Sequence, residues 1–175
     1  LGGYSITPHL AYGDWLPALG PLDLLDREQG QVRPGDAVSV PELLAALDVA
    51  DSMWRHLGPD DLRELGRVVI DASAADAPIF DREGGFVSPR RLPGGVVIEL
   101  EEGRRVFFGR PPHPLHEGEL PVNLKWGHLR GALGLGRDGD GWRLLDARFD
   151  HPVLLSEEDV LDFKARWEGS PDGGR

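Results

Sequence analysis

GVVIELEEGRRVFFGR, residues 95–110, is two short apolar runs joined by a charged knot, and its alternation decides the fold class. Val96, Ile98 and Leu100 alternate with Val97, Glu99 and Glu101, and β-branched residues favour a pleated strand. Gly103 supplies the positive φ that a short connection needs. With a three-residue loop Glu101-Glu102-Gly103, Ile98 is predicted to face Val106, Val96 to face Phe108, and Glu99 to face Arg105. That register gives one apolar face and one cross-strand ion pair.

Outward from the hairpin, Ser39-Val40-Pro41-Glu42 announces a helix to about residue 57. Ser39 is placed as N-cap, Pro41 in the first turn and Glu42 for a capping box. Leu43, Leu47, Ala50, Trp54 and Leu57 follow on one face. Gly58-Pro59 ends it, and a short helix follows over 60–65. Strands are predicted at 67–72, 78–80 and 142–149, with an extended piece at 152–155. A helix is predicted over 119–133, with Leu120, Leu124 and Leu133 on its apolar side. A last helix begins at Ser156, capped by Ser156 and Asp159. The near-repeat DREQGQVRP (26–34) and DREGGFVSP (81–89) reads as two exposed turns, because two copies make no solenoid. Without regular strand–helix–strand alternation the expected class is α+β, a mostly antiparallel sheet with helices packed on one face. The expected organisation is a lead-in at 1–14, one domain at 15–155, a C-terminal helix at 156–169 and a flexible tail at 170–175.

Composition narrows the function. The 175 residues carry a formal net charge of −11, which argues against nucleic acid or an anionic membrane as partner. There is no cysteine, so disulfides, thiolate metal sites and cysteine nucleophiles are excluded for this chain. No apolar run approaches the ~20 residues needed to span a bilayer. The chain starts at Leu1, as a piece excised from a longer protein would.

The best metal candidate is His113-Pro114-Leu115-His116-Glu117, two imidazoles three apart with a carboxylate beside them. Its prolines prevent the helical face that brings such pairs together, and a solvated loop is the expected reading. Asp138-Gly139-Asp140-Gly141 opens like a calcium loop but lacks the later ligands. Ser5, Ser52, Ser73 and Ser88 lack a nucleophile elbow, and the Gly-rich stretches lack the phosphate-loop lysine. His128 reads as a helix-surface residue. The expectation is therefore no catalytic residue, no cofactor and no metal, with a metal-assisted hydrolase using His113, His116 and Glu117 as the alternative, and an unrelated interaction domain as a third reading.

The order of elements over 15–155 resembles the extracytoplasmic β-domain of the FtsQ/DivIB bacterial cell-division family. The features that carry the resemblance are Trp15-Leu16-Pro17-Ala18-Leu19-Gly20, Glu102-Gly103 through Gly109, Lys125 with Leu129 and Leu133, and Leu145-Asp146-Ala147-Arg148-Phe149. The resemblance implies a non-enzymatic scaffold of the septal machinery, on the extracytoplasmic side of the bacterial membrane and anchored upstream of Leu1. It also implies coiled-coil membrane partners of the FtsB and FtsL type, bound as an added strand at a sheet edge. The partner-binding residues would be Arg148, Phe149, His151, Val153, Leu154 and Leu155, provided the helix after Leu155 does not cover that edge.

Overall fold

The computed structural model describes residues 18–20, 40–72, 76–80, 86–93, 95–112, 119–135 and 141–161; for 18–20, 76–80 and 86–93 the description is of backbone alone. Its centre is the hairpin of two antiparallel strands, β5 (Val96–Glu99) and β6 (Arg105–Gly109). Ile98 lies opposite Val106 and Glu99 opposite Arg105, as the alternation requires. The Glu99–Arg105 ion pair closes at 2.8 Å on the half-exposed face. Both Glu102 (φ 63°) and Gly103 (φ 76°) turn through the left-handed region. The loop is shut by Leu100 N–H donating to the Arg104 carbonyl at 2.8 Å. The expected Val96–Phe108 pairing is corrected. A register shift between Val96 and Val97 sets Val96 opposite Gly109, and Gly95 and Gly109 meet in an isolated bridge.

Six strands form the main sheet in the order β1 (Ala18–Gly20), β2 (Val69–Asp71), β5, β6, β7 (Leu144–Asp146), β8 (Val153–Leu155). A separate antiparallel ribbon pairs β3 (Asp76–Phe80) with β4 (Phe86–Pro93). The class is α+β, and the main sheet is mixed, with three of its five pairings antiparallel. β1 runs parallel to β2, and β6 parallel to β7. A parallel neighbour requires a long crossover, and the residues between Gly109 and Leu144 provide it by forming a helix.

Three helices, α1 (Pro41–His56), α2 (Pro59–Leu65) and α3 (Val122–Leu135), contribute to the core. Val40 is the N-cap of α1 and makes no side-chain capping bond, which corrects the expected cap at Ser39, itself outside the described residues. Pro41 still occupies the first turn, where its missing N–H costs nothing. The Asp61 carboxylate instead caps α2, accepting the Gly58 N–H at 2.9 Å. α3 begins three residues later than predicted and rotates its face. Leu124 is exposed while Lys125, Trp126, Leu129, Ala132 and Leu133 are buried. Large aromatic groups set that rotation. The Trp126 indole packs on Phe108 with ring centroids 4.7 Å apart and donates to the Ser52 hydroxyl on α1 at 2.7 Å. Trp142 donates to the Ala132 carbonyl at the other end of α3 at 2.9 Å. Burying a side chain such as Phe108 stabilises the fold by about 1.5–3 kcal/mol.

Alternation along the strands divides the apolar residues between two clusters. Ile70, Ile98, Val106, Phe108 and Leu145 join the helices in the main core. Leu144, Val153 and Leu155, with Phe107 and Val160, form a smaller cluster on the opposite face. Val160 belongs to a helical segment at 157–161, so helical cover is not confined to one face as expected. That segment starts as the sequence predicts. The Ser156 N–H donates to the Asp159 carboxylate at 2.9 Å, and the Asp159 N–H donates to the Ser156 hydroxyl at 3.2 Å. The Ser156 hydroxyl, donating to the same carboxylate at 2.7 Å, and after it the Ser156 N–H hold the Asp159 carboxyl below its ordinary range.

Candidate functional site

Charged residues are rarely buried unless paired, and two buried ion pairs lie near the end of β6, one at the start of α3 and one formed by β7 and the residues that follow it. Lys125 lies on the buried face of α3, and its ammonium donates to Glu119 Oε2 at 2.6 Å and to the Arg110 carbonyl at 3.3 Å. The Lys125 side chain is 4% exposed and that of Glu119 14%. The same Glu119 oxygen accepts the Arg110 N–H at 2.9 Å. Gly109 makes this approach possible. At φ +80° its backbone turns back on the carboxylate, and a Cβ there would lie 2.6 Å from Glu119 Oε2. The ammonium also sits 4.9 Å from the centre of the Phe108 ring, on the negative face of its quadrupole.

The second pair is Asp146 with Arg148. Residues two apart on an extended chain share a face, and here the guanidinium clasps the carboxylate in two bonds, Nε–Oδ1 2.8 Å and Nη2–Oδ2 2.6 Å. Phe107 and Phe149 lie against the guanidinium, their ring centres 5.6 and 5.2 Å from its carbon. The Arg148 carbonyl accepts the Leu120 N–H at 3.1 Å, so one backbone bond joins the two pairs. Burial pushes the Lys125 ammonium below its ordinary pKa. The bond and the charge of Glu119 oppose that, Arg148 adds to the lowering, and Asp146 opposes it. A lysine so destabilised gives up a proton more readily than a surface lysine, and a carboxylate within hydrogen-bond reach can take one. Perturbed groups of this kind mark functional sites and structural ties alike. The pair also fastens the start of α3 to the end of β6.

His113, His116 and Glu117 lie outside the described residues, as do Asp138 to Asp140. Among the described residues no group of three His, Asp or Glu could hold a metal ion. The six residues named for partner binding are dispersed by environment. Arg148 is buried and committed to Asp146. Phe149 is half-buried and His151 exposed. Val153 and Leu155 point into the smaller cluster, while Leu154 packs on the main core. Their strand, β8, is the last in the sheet order among the described residues. His128 is half-buried rather than on the surface. Burial lowers its pKa, a bond to the Ala147 backbone and the charge of Asp150 opposing, and its Nδ1 is buried without a hydrogen-bond partner. Sequence reading passed over Glu119, Lys125 and Asp146 as site residues. The signal was present in Lys125, which occupies a position four before Leu129 on the face that Trp126 and Leu133 bury.

No family profile matches the chain, and no solved structure matches it. The chain is similar to a curated protein named isonitrile hydratase, from Pseudomonas putida, with 33% identity over 102 residues. The alignment covers 58% of this chain and 41% of the relative, so the chain spans less than half of that protein's length. This likeness corrects the cell-division reading. The comparisons hold no division protein, and the relative bears the name of an enzyme, which overturns the FtsQ/DivIB assignment, the septal function and the expectation of a non-enzymatic scaffold. No helix among the described residues is long and apolar enough to cross a membrane.

Proposed function

We propose that this chain is part of an enzyme, and that its reaction is the addition of water to a small isonitrile-type carbon–nitrogen compound. The observation that carries the reading is the 33% identity over 102 residues with isonitrile hydratase. The Lys125–Glu119 pair supplies groups suited to that chemistry. Hydration of R–N≡C needs one proton delivered to the terminal carbon and one removed from the attacking water. Lys125 Nζ, its proton loosened by burial, is the donor. Glu119, the more exposed partner, takes the proton from water as its oxygen bonds to the carbon. The resulting R–N=CH–OH tautomerises to the formamide R–NH–CHO, and the proton on Glu119 returns to Lys125 across 2.6 Å. Proton transfer by a positioned side chain contributes about 10²–10⁴-fold to such reactions. With no cysteine in the chain, its own residues act by acid–base rather than thiolate chemistry.

Incubation with cyclohexyl isocyanide tests the reading, with N-cyclohexylformamide followed by mass spectrometry. The native protein is expected to form the formamide above a heat-denatured blank, and Glu119→Gln to lose about 10²-fold or more of that rate. Formamide no faster than the blank overturns the reaction class. Formation undiminished in Glu119→Gln and Lys125→Met removes the pair from it.

A further inference from the structure

On the face of the sheet away from α1, α2 and α3, Phe107 and Leu144 floor a groove of about 480 Å³ between the hairpin tip and the helical segment at 157–161. Val160 and Leu161 wall it on the helical side, and Leu161, 61% exposed, is one of three exposed large apolar side chains among the described residues. Two arginines and three glutamates stand around the rim. Arg105 is held by Glu99 at 2.8 Å. Arg143 is held by Glu157 at 3.2 Å and donates from Nη1 to the Glu102 carbonyl. Each ion pair neutralises itself, and among the described residues of the rim this leaves the Glu102 carboxylate as the uncompensated charge. Phe107 and Phe108, neighbours on β6, point to opposite faces of the sheet, so this groove is separate from the Lys125–Glu119 pair.

We propose that the groove binds a small molecule with one ammonium group on an aromatic or branched apolar body. The volume falls in the range of small-molecule sites, which are mostly apolar with a few placed polar groups. Phe107, Leu144 and Val160 take the apolar body, and Glu102 takes the ammonium. A carboxylate on the same body meets an excess of negative charge and two arginines already engaged, so the groove rejects it.

Titration of the whole chain with 2-phenylethylamine, 2-phenylethanol and 3-phenylpropanoate, followed by amide-resolved NMR, tests this. The amine is expected to shift the Phe107, Leu144 and Val160 amides in a saturable way, the alcohol more weakly, and the carboxylate not at all. Glu102→Gln, a change on an exposed loop, lowers the amine's affinity about fivefold, the upper end for a surface ion pair, and leaves the alcohol unchanged. Leu161→Asn weakens amine and alcohol alike. Equal binding of the carboxylate, or no saturable shift of these amides with the amine, overturns the proposal. Either result is independent of formamide production, which is read at the other face.

Discussion

Replacing Gly109 by alanine puts the architecture of the buried pair to a quantitative test. Two costs arise at this position. A residue with a Cβ held at φ +80° loses about 1–2 kcal/mol against the usual regions. The new Cβ would also lie 2.6 Å from Glu119 Oε2 and 2.9 Å from its Cδ, so the carboxylate must leave. Lys125 then stays buried without its counter-charge, and breaking a buried pair costs about 3–5 kcal/mol. Because the lysine's pKa is already lowered, it can shed its proton, which favours the lower end, about 3 kcal/mol. The expected loss is about 4–5 kcal/mol, a large part of an ordinary domain's stability. Gly103→Ala is the control. Gly103 has nearly the same φ, 76°, but an added Cβ meets nothing within 4 Å, so it bears only the backbone cost of about 1–2 kcal/mol. Urea unfolding of both variants measures the difference. In a Glu119→Ala background the two glycine substitutions should cost the same. Equal losses for Gly103→Ala and Gly109→Ala with Glu119 in place would refute the reasoning.

Glu119→Gln alone is expected to destabilise the chain by about 3 kcal/mol, while adding Lys125→Met recovers all but about 1 kcal/mol, since removing both charges removes the desolvation cost as well; urea midpoints of the double-mutant cycle decide it. Ser52→Ala leaves the buried Trp126 N–H without its acceptor and should cost about 1–3 kcal/mol, seen as a lower melting temperature. His128 has a folded-state pKa below its ordinary 6.5, so the unfolded chain binds its proton first as pH falls. Its contribution is therefore complete above pH 6.5 and lost as pH drops through the folded value. Stability measured from pH 7.5 downward should decline less in His128→Gln than in the native chain.

The hairpin was legible because its information is local. Alternation, a turn glycine and one opposed charge pair agree over residues 95–110, and the observed register at Ile98–Val106 and Glu99–Arg105 follows from them. The bulge at Val96 was not legible, because it answers to the contact of Gly95 with Gly109, which exists only once the strands have paired. The mixed sheet escaped for a similar reason. A strand carries no local mark of whether its neighbour runs parallel, and the parallel partner of β6 lies beyond α3. Helix α3 was found, but its face was misjudged. Leucine spacing favoured Leu120 and Leu124, whereas Trp126 and Phe108 fix the rotation and carry Lys125 inside. The ion pairs were hidden by abundance. With 30 acidic and 19 basic side chains, sequence does not say which become buried neighbours. The order of elements led to the wrong family because helix, hairpin, helix and strand in succession are a permissive pattern that many α+β domains share.

The parallel pairing of β6 with β7 also bears on how the chain assembles. The turn between β5 and β6 closes over residues 100–104, and that between β7 and β8 over residues 147–152, so each strand pair forms from neighbours in the chain. Joining the two pairs means closing the whole stretch from 110 to 143, which costs about 2 kcal/mol more in chain entropy than the 100–104 turn. Docking of α3 through Trp126 and Trp142 is what offsets that difference. Until it happens, one edge of β6 stands open with its N–H and C=O groups unpaired. Another copy of the chain could occupy that edge first, so refolding yield should fall with protein concentration most steeply in variants that loosen α3.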